Sequence, residues 1–178
     1  MNAIDDLVRD VRDLMSKDNG DATAAPASEV LSKFLRIPDL LDQLGLSAGF
    51  GAKRIWEDAE QGFIIQMHEI TPGRKSPPHD HGPHWVLYGV HSGELTVSRY
   101  HWQEGPNEQS MAHVDVLADR VLRPGDVEQY VSWDVHSTAN STDGVTTIGR
   151  LLSCNVDAVE RHRFDRAANS YVTGCWPG

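Results

Sequence analysis

Cysteine is scarce in this sequence, with only Cys154 and Cys175 among 178 residues. Two cysteines build no disulfide framework and their spacing matches no zinc motif, so both are expected to be free thiols. Basic residues are few as well. Sixteen Lys and Arg against 26 Asp and Glu leave a formal charge of −10. That balance argues against nucleic acid or an anionic membrane as the main partner, because both need a basic face. No apolar run approaches the roughly 20 residues that cross a bilayer. The acidic, amphipathic opening "MNAIDDLVRDVRDLM" suits neither a signal peptide nor a transit peptide, and a cytoplasmic protein is expected. The length suffices for one well-buried domain and is short for two.

What is present divides into two textures. Ile4, Leu7, Val8, Val11, Leu14 and Met15 recur at helical spacing, which predicts an amphipathic helix over 3–17. "KDNGDATAAPAS" reads as a loop, with Ser28 capping a helix that begins at Glu29 and stops near Arg36, ahead of Pro38. A third short helix, "DLLDQLG", should end at Gly45. From about residue 50 the pattern becomes short runs rich in β-branched and aromatic residues: "GFIIQMHEI", "HWVLYGVHSG", "ELTVSRYHW", "DRVLRPGDVEQYVS" and "GVTTIGRLLSC". Turn residues punctuate them and no helices intervene, which implies an antiparallel sandwich or barrel. The expected fold is therefore mostly β. Residues 1–48 form a helical segment packed on a β-barrel domain of 49–178.

The chemistry concentrates in "GRKSPPHDHGPHWVLYGVHSG". His79 and His81 are two apart, so on an extended segment both imidazoles point to the same side. Two such donors can occupy adjacent positions on a metal, and a third must come from elsewhere in the fold. Gly73 stands six residues before His79, and Gly93 twelve after His81. This frame resembles the first cupin motif, with Val86 where that motif usually has glutamate. "RPGDV" and "HSTAN" resemble the approach to, and the tail of, the second cupin motif, the histidine being His136. The resemblance spans roughly residues 50–155. It implies a double-stranded β-helix barrel with His79, His81 and His136 as metal ligands.

Imidazole ligands alone suit zinc, copper, iron or nickel. Loss of the glutamate with retention of "HDHG" resembles the cysteine dioxygenase group of thiol dioxygenases. That resemblance implies Fe(II) as cofactor, with zinc or nickel as stand-ins in a purified sample. It also implies a small carboxylated thiol and dioxygen as partners, and allows a homodimer. Two departures stand out. The Ser-His-Tyr set of that group is missing from "TTIGRLLS", and its crosslinking cysteine falls at Val86 or Trp85.

An arginine usually grips the substrate carboxylate in that group. Arg54 is the expected counterpart, with Lys53 competing, and a place in a charged surface loop is the alternative. Arg150 is the other candidate. It serves if Ile148, Arg150 and Leu152 face the barrel interior, although the sequence slightly favours Gly149, Leu151 and Ser153 as that inner face. His84 is a candidate proton shuttle, since imidazole titrates near neutrality. Trp85, Tyr88, Tyr130 and Trp133 are candidate pocket walls. His68, His91, His101, His113 and His162 show no ligand spacing and read as surface or satisfied core residues. Cleavage of a carbon–carbon bond in a diketone or aromatic hydroxy acid is the alternative chemistry, and a cupin that binds a metal without turnover is the third reading.

Overall fold

The computed structural model describes residues 3–103, 105–106 and 108–176. Helix α1 (Ala3–Met15) buries the expected stripe of Leu7, Val8, Val11 and Met15. Its Arg12 donates to the buried Asp58 carboxylate at 2.6 Å. Helix α2 (Ala24–Leu35) starts at Ala24 and not at Glu29. The alanines there are strong helix formers, and Pro26 falls in the first turn, where its missing N–H breaks no helical bond. Ser28 is consequently inside the helix, and its hydroxyl donates to the Ala25 carbonyl. A short α3 (Leu40–Gln43) ends before Gly45, whose φ of +66° reverses the chain. No helix among the described residues is long and apolar enough to cross a membrane.

The rest is antiparallel β: β1 (Ala52–Glu57), β2 (Ile64–Ile70), β3 (Val86–Ser92), β4 (Leu95–Trp102), β5 (Val114–Leu122), β6 (Val127–Tyr130), β7 (Val135–Ala139), β8 (Thr146–Leu152), β9 (Arg161–Asp165) and β10 (Ser170–Gly174). One sheet runs β1-β2-β8-β3-β6 and a second runs β5-β4-β7. The hairpin β9–β10 extends the second sheet through the segment 73–79. Along one edge that segment bonds to β7, with His79 and His136 exchanging backbone hydrogen bonds at 2.9 Å. Along the other, Phe164 N donates to Pro78 O. Pro77 and Pro78 have no N–H to give, so the segment forms isolated bridges and not a regular strand.

Strands β2, β8 and β3 are buried on both faces. Ile64, Val86, Val90, Ile148 and Leu152 pack inside the barrel with Leu95, Val97 and Leu122 of the facing strands. The alternate residues Ile65, Met67, Leu87 and Leu151 pack outward against Leu31, Leu35 and Phe34 of α2. Gly89 and Gly149 pair across β3 and β8 on that outer face. A Cβ at either would come within 2.4 Å or 2.7 Å of the Leu35 side chain. The helix therefore sits directly on backbone at this glycine pair, and the outer face beneath it is apolar, while Arg150, Gln66 and Tyr88 lie on the inner one.

Candidate metal centre

His79 ends the bridging segment and His81 lies just beyond it, and both converge with His136 of β7. Asp80 between them turns the other way. It is fully buried and accepts from Gly82 N (3.0 Å), His162 N (3.1 Å) and His162 Nδ1 (2.6 Å). Gly82, at φ +64°, closes this turn where a Cβ would press on the Glu160 carbonyl at 2.9 Å. Asp80 thus fixes the direction of both neighbouring histidines, and His162 is a satisfied core residue, as expected. Asn140 performs the matching task after His136. It donates to the carbonyls of Ile70 (2.7 Å) and Gly144 (2.8 Å), tying two loops together.

The ligand-type nitrogens of His79, His81 and His136 lie within 4.8 Å of one another. Nε2 of His81 and Nε2 of His136 are 2.9 Å apart. Two nitrogens bound at right angles to one ion at about 2.1 Å would stand about 3 Å apart, so this pair has the spacing of adjacent ligands. Nδ1 of His79 donates to the Pro77 carbonyl at 2.9 Å, which leaves its Nε2 lone pair free. The Nδ1 atoms of His81 and His136 are buried without a hydrogen-bond partner.

Burial, together with neighbouring arginines, pushes the His79 pKa down to about 4. Burial and mutual repulsion put those of His81 and His136 well below the ordinary value. All three are neutral imidazoles near pH 7, the form that binds metal. Tyr130 stacks on His136 with ring centroids 3.7 Å apart, and Tyr88 meets it edge-on at 5.1 Å. Val86, at the usual glutamate position, is fully buried and apolar, and the cluster contains no carboxylate. The residues therefore fit a divalent metal held by three neutral donors, which leaves its full charge available to an anion.

A hollow of about 290 Å³ opens beside His79 and Tyr88. Arg74, Lys75, Arg150, Arg161 and Arg163 line it, and among the described residues no carboxylate does. In a chain of charge −10 this is a strong local reversal of sign. Arg150 faces inward, against the sequence preference for an outer placement. Both faces of β8 are buried, and the glycine at 149 is needed on the helix side. Arg150, Gln66 and Tyr88 form one row across β8, β2 and β3. Nη1 of Arg150 donates to Gln66 Oε1 at 3.2 Å, and its guanidinium lies 4.8 Å from the Tyr88 ring centre. His68 shares that Gln66 oxygen at 3.1 Å, and burial, reinforced by Arg150 and Arg74, pushes its pKa down to about 3.

The structure does not bring every expected residue here. Arg54 aligns with Gln66 but stands on the edge strand, where it pairs with Glu57 at 2.6 Å and lines another hollow with Ile4, Leu44 and Lys53. Trp85 points to the helices, its Nε1 donating to the Asn19 carbonyl at 3.3 Å, because it is one step out of phase with Val86. His84 is half-buried, with Asp21 among its charged neighbours, and does not line the hollow. Trp133 is 52 % exposed. Sequence reasoning missed Gln66, Arg161 and Arg163, and read His68 as uninvolved. The two arginines come from β9, whose place beside His79 had no signal in the sequence. The alternation of "IIQMHEI" was a usable signal for Gln66 and His68, since Ile64 shares their face.

No family model matches the chain, and no curated protein matches it in sequence. Its structural neighbours are cupin-fold proteins. An oxalate oxidase in complex with the substrate analogue glycolate is 20% identical with a TM-score of 0.41, over 52% of this chain and 42% of its own. The cupin domain of an XRE-family transcriptional regulator from Enterobacter cloacae is 20% identical with a TM-score of 0.41, over 57% of this chain and 92% of its own. A cupin superfamily protein from Desulfitobacterium hafniense is 12% identical with a TM-score of 0.44, over 63% of this chain and 87% of its own. The match thus spans less than half of the oxalate oxidase chain. At these values the likenesses carry no conclusion about activity.

Proposed function

We propose that this protein is an iron-dependent dioxygenase that oxidises the sulfur of a small carboxylated thiol to a sulfinate. His79, His81 and His136 hold Fe(II), and Arg150 binds the carboxylate. The observation that carries this reading is three convergent, neutral imidazoles, one of which, His79, opens onto a cationic hollow shared with the buried Arg150 guanidinium, which has no carboxylate partner among the described residues. Ferrous iron supplies the redox chemistry by which thiol and dioxygen combine, both oxygen atoms ending on sulfur. Arg150 offers a fork of donors to the carboxylate and so fixes the thiol end toward the histidines. Tyr88 backs the guanidinium, and Gln66 holds it from the side. The cationic lining also favours the thiolate over the thiol.

The absence of the Ser-His-Tyr set keeps the second reading, cleavage of a carbon–carbon bond in a diketone or aromatic hydroxy acid. The lining favours a carboxylate-bearing substrate over a neutral diketone. Oxygen uptake by Fe(II)-loaded protein across thiol acids, diketones and aromatic hydroxy acids separates these. Uptake with a thiol acid, with sulfinate as product, is expected. His136→Ala should abolish it and lower metal affinity more than about a hundredfold, beyond the usual effect of losing a residue that only orients a ligand. Uptake with aromatic acids alone would transfer the assignment to the second reading. Stoichiometric metal without any uptake would point to a cupin that binds and does not turn over.

A further inference from the structure

Two guanidinium groups lie at the buried end of the hollow. Arg150 is 4% exposed and Arg161 is 3% exposed, and the Nε of each is buried without a hydrogen-bond partner. Among the described residues Arg150 meets an amide oxygen and an aromatic face and no carboxylate. Arg161 donates to the Trp176 backbone carbonyl and stands at a long 3.8 Å from Asp157. Arg163, half-buried with its guanidinium 4.6 Å from the Trp176 ring centre, lines the same wall, and Arg74 and Lys75 are exposed at the rim.

Buried cations so weakly paired are costly unless an anion completes them. They also repel one another: burial lowers the pKa of Arg161, and Arg150 and Arg163 add to that lowering against the opposing pull of Tyr88 and Asp157. A single carboxylate matches the fork of one guanidinium. It cannot fill the donors of two and balance a ring of five cations. An ammonium group would find no carboxylate in this lining to receive it.

We infer that the ligand of this hollow carries two separate acidic groups and no ammonium group, one acid bound by Arg150 and the other by Arg161 with Arg163. This rests on the proposed reading for the thiol alone: the substrate would then be a small dicarboxylic acid bearing the thiol, and not an amino acid.

Calorimetric titration of the full chain with succinate, propionate, β-alanine and inorganic phosphate tests this without reading turnover. Succinate should bind about tenfold or more tightly than propionate, the gain of a further charge-assisted contact. β-Alanine should bind more weakly than propionate. R161Q should bring succinate down to the level of propionate, and R161K should restore part of the preference. If R161Q fails to fold by circular dichroism, R163Q carries the same comparison. Equal affinities for succinate and propionate would overturn the inference. So would phosphate binding as tightly as succinate, because one dense anion would then suffice, and so would a preference for β-alanine. A succinate preference without oxygen uptake on any thiol acid would refute the oxygenase and leave the diacid site. Uptake on a monocarboxylate thiol without a succinate preference would do the reverse.

Discussion

The two faces of the β2–β8–β3 sheet are made by the same strands, one residue out of phase, and they do opposite things. Outward, Ile65, Met67, Leu87, Leu151 and the glycine pair meet α2 in an apolar layer. Inward, the rows pass from Ile64, Leu152 and Val86 to Gln66, Arg150 and Tyr88, and then to His68, Ile148 and Val90. The outer face is apolar where α2 covers it. The inner face is apolar at one end and carries the Arg150 guanidinium, Gln66 and Tyr88 in its middle row, with the Arg150 Nε left unpaired among the described residues. The outer layer contributes packing alone, whereas the inner face adds to its own apolar core a buried guanidinium that the described residues do not fully satisfy.

Breaking the outer face should have the largest effect on stability. Leu35 is 1% exposed and lies on both sheet glycines. Leu35→Ala should cost about 2–5 kcal/mol in urea unfolding, as for other buried leucines. Metal stoichiometry of the folded fraction should be unchanged, which would separate the faces directly. Overfilling the same contact is milder. Gly89→Ala places a Cβ against Leu35, Val127 and the Asp126 carbonyl, and should cost about 1–3 kcal/mol.

The inner face should answer in the opposite sense. Arg150→Met removes a buried charge that no carboxylate among the described residues balances, so thermal stability should hold or rise. Succinate affinity should fall about tenfold, the loss of one charge-assisted contact. A loss of stability comparable to that of Leu35→Ala would mean that Arg150 is structural.

The same contrast explains what was legible in the sequence. His79 and His81 stood out because they lie two apart in a glycine-framed run, and His136 because Asn140 follows at the expected distance. Helix α1 followed from its periodicity, whereas the start of α2 was missed because Ala-Ala-Pro reads as loop by composition. The facing of Arg150 was not legible, since β8 is buried on both sides and "TTIGRLL" carries no alternation of polarity. Arg54 misled because it does share the row of Arg150, but at the sheet edge, where a glutamate from its own strand claims it. Arg161 and Arg163 depend on β9 pairing with His79, a contact between residues far apart in the chain that no local pattern encodes.

The smallest expected effect sharpens the comparison through pH. The His68 pKa is pushed down to about 3, chiefly by burial and further by Arg150 and Arg74. Its value in the unfolded chain is about 6.5. Above pH 6.5 both states hold a neutral ring and His68 adds no slope. Below it the unfolded chain takes up a proton that the folded one refuses, so stability falls as pH drops from about 6.5 toward 3. One such proton is worth at most about 1.4 kcal/mol per pH unit. His68→Gln should therefore flatten the urea-unfolding profile between pH 6.5 and 5.5 by about 1 kcal/mol, and leave it unchanged at pH 8. Arg150→Met should flatten it less, because it removes one of the two arginine contributions and leaves the burial. An equal slope in wild type and His68→Gln would mean that the ring is open to water in solution, and that the inner face beside Arg150 is wetter than its lining suggests.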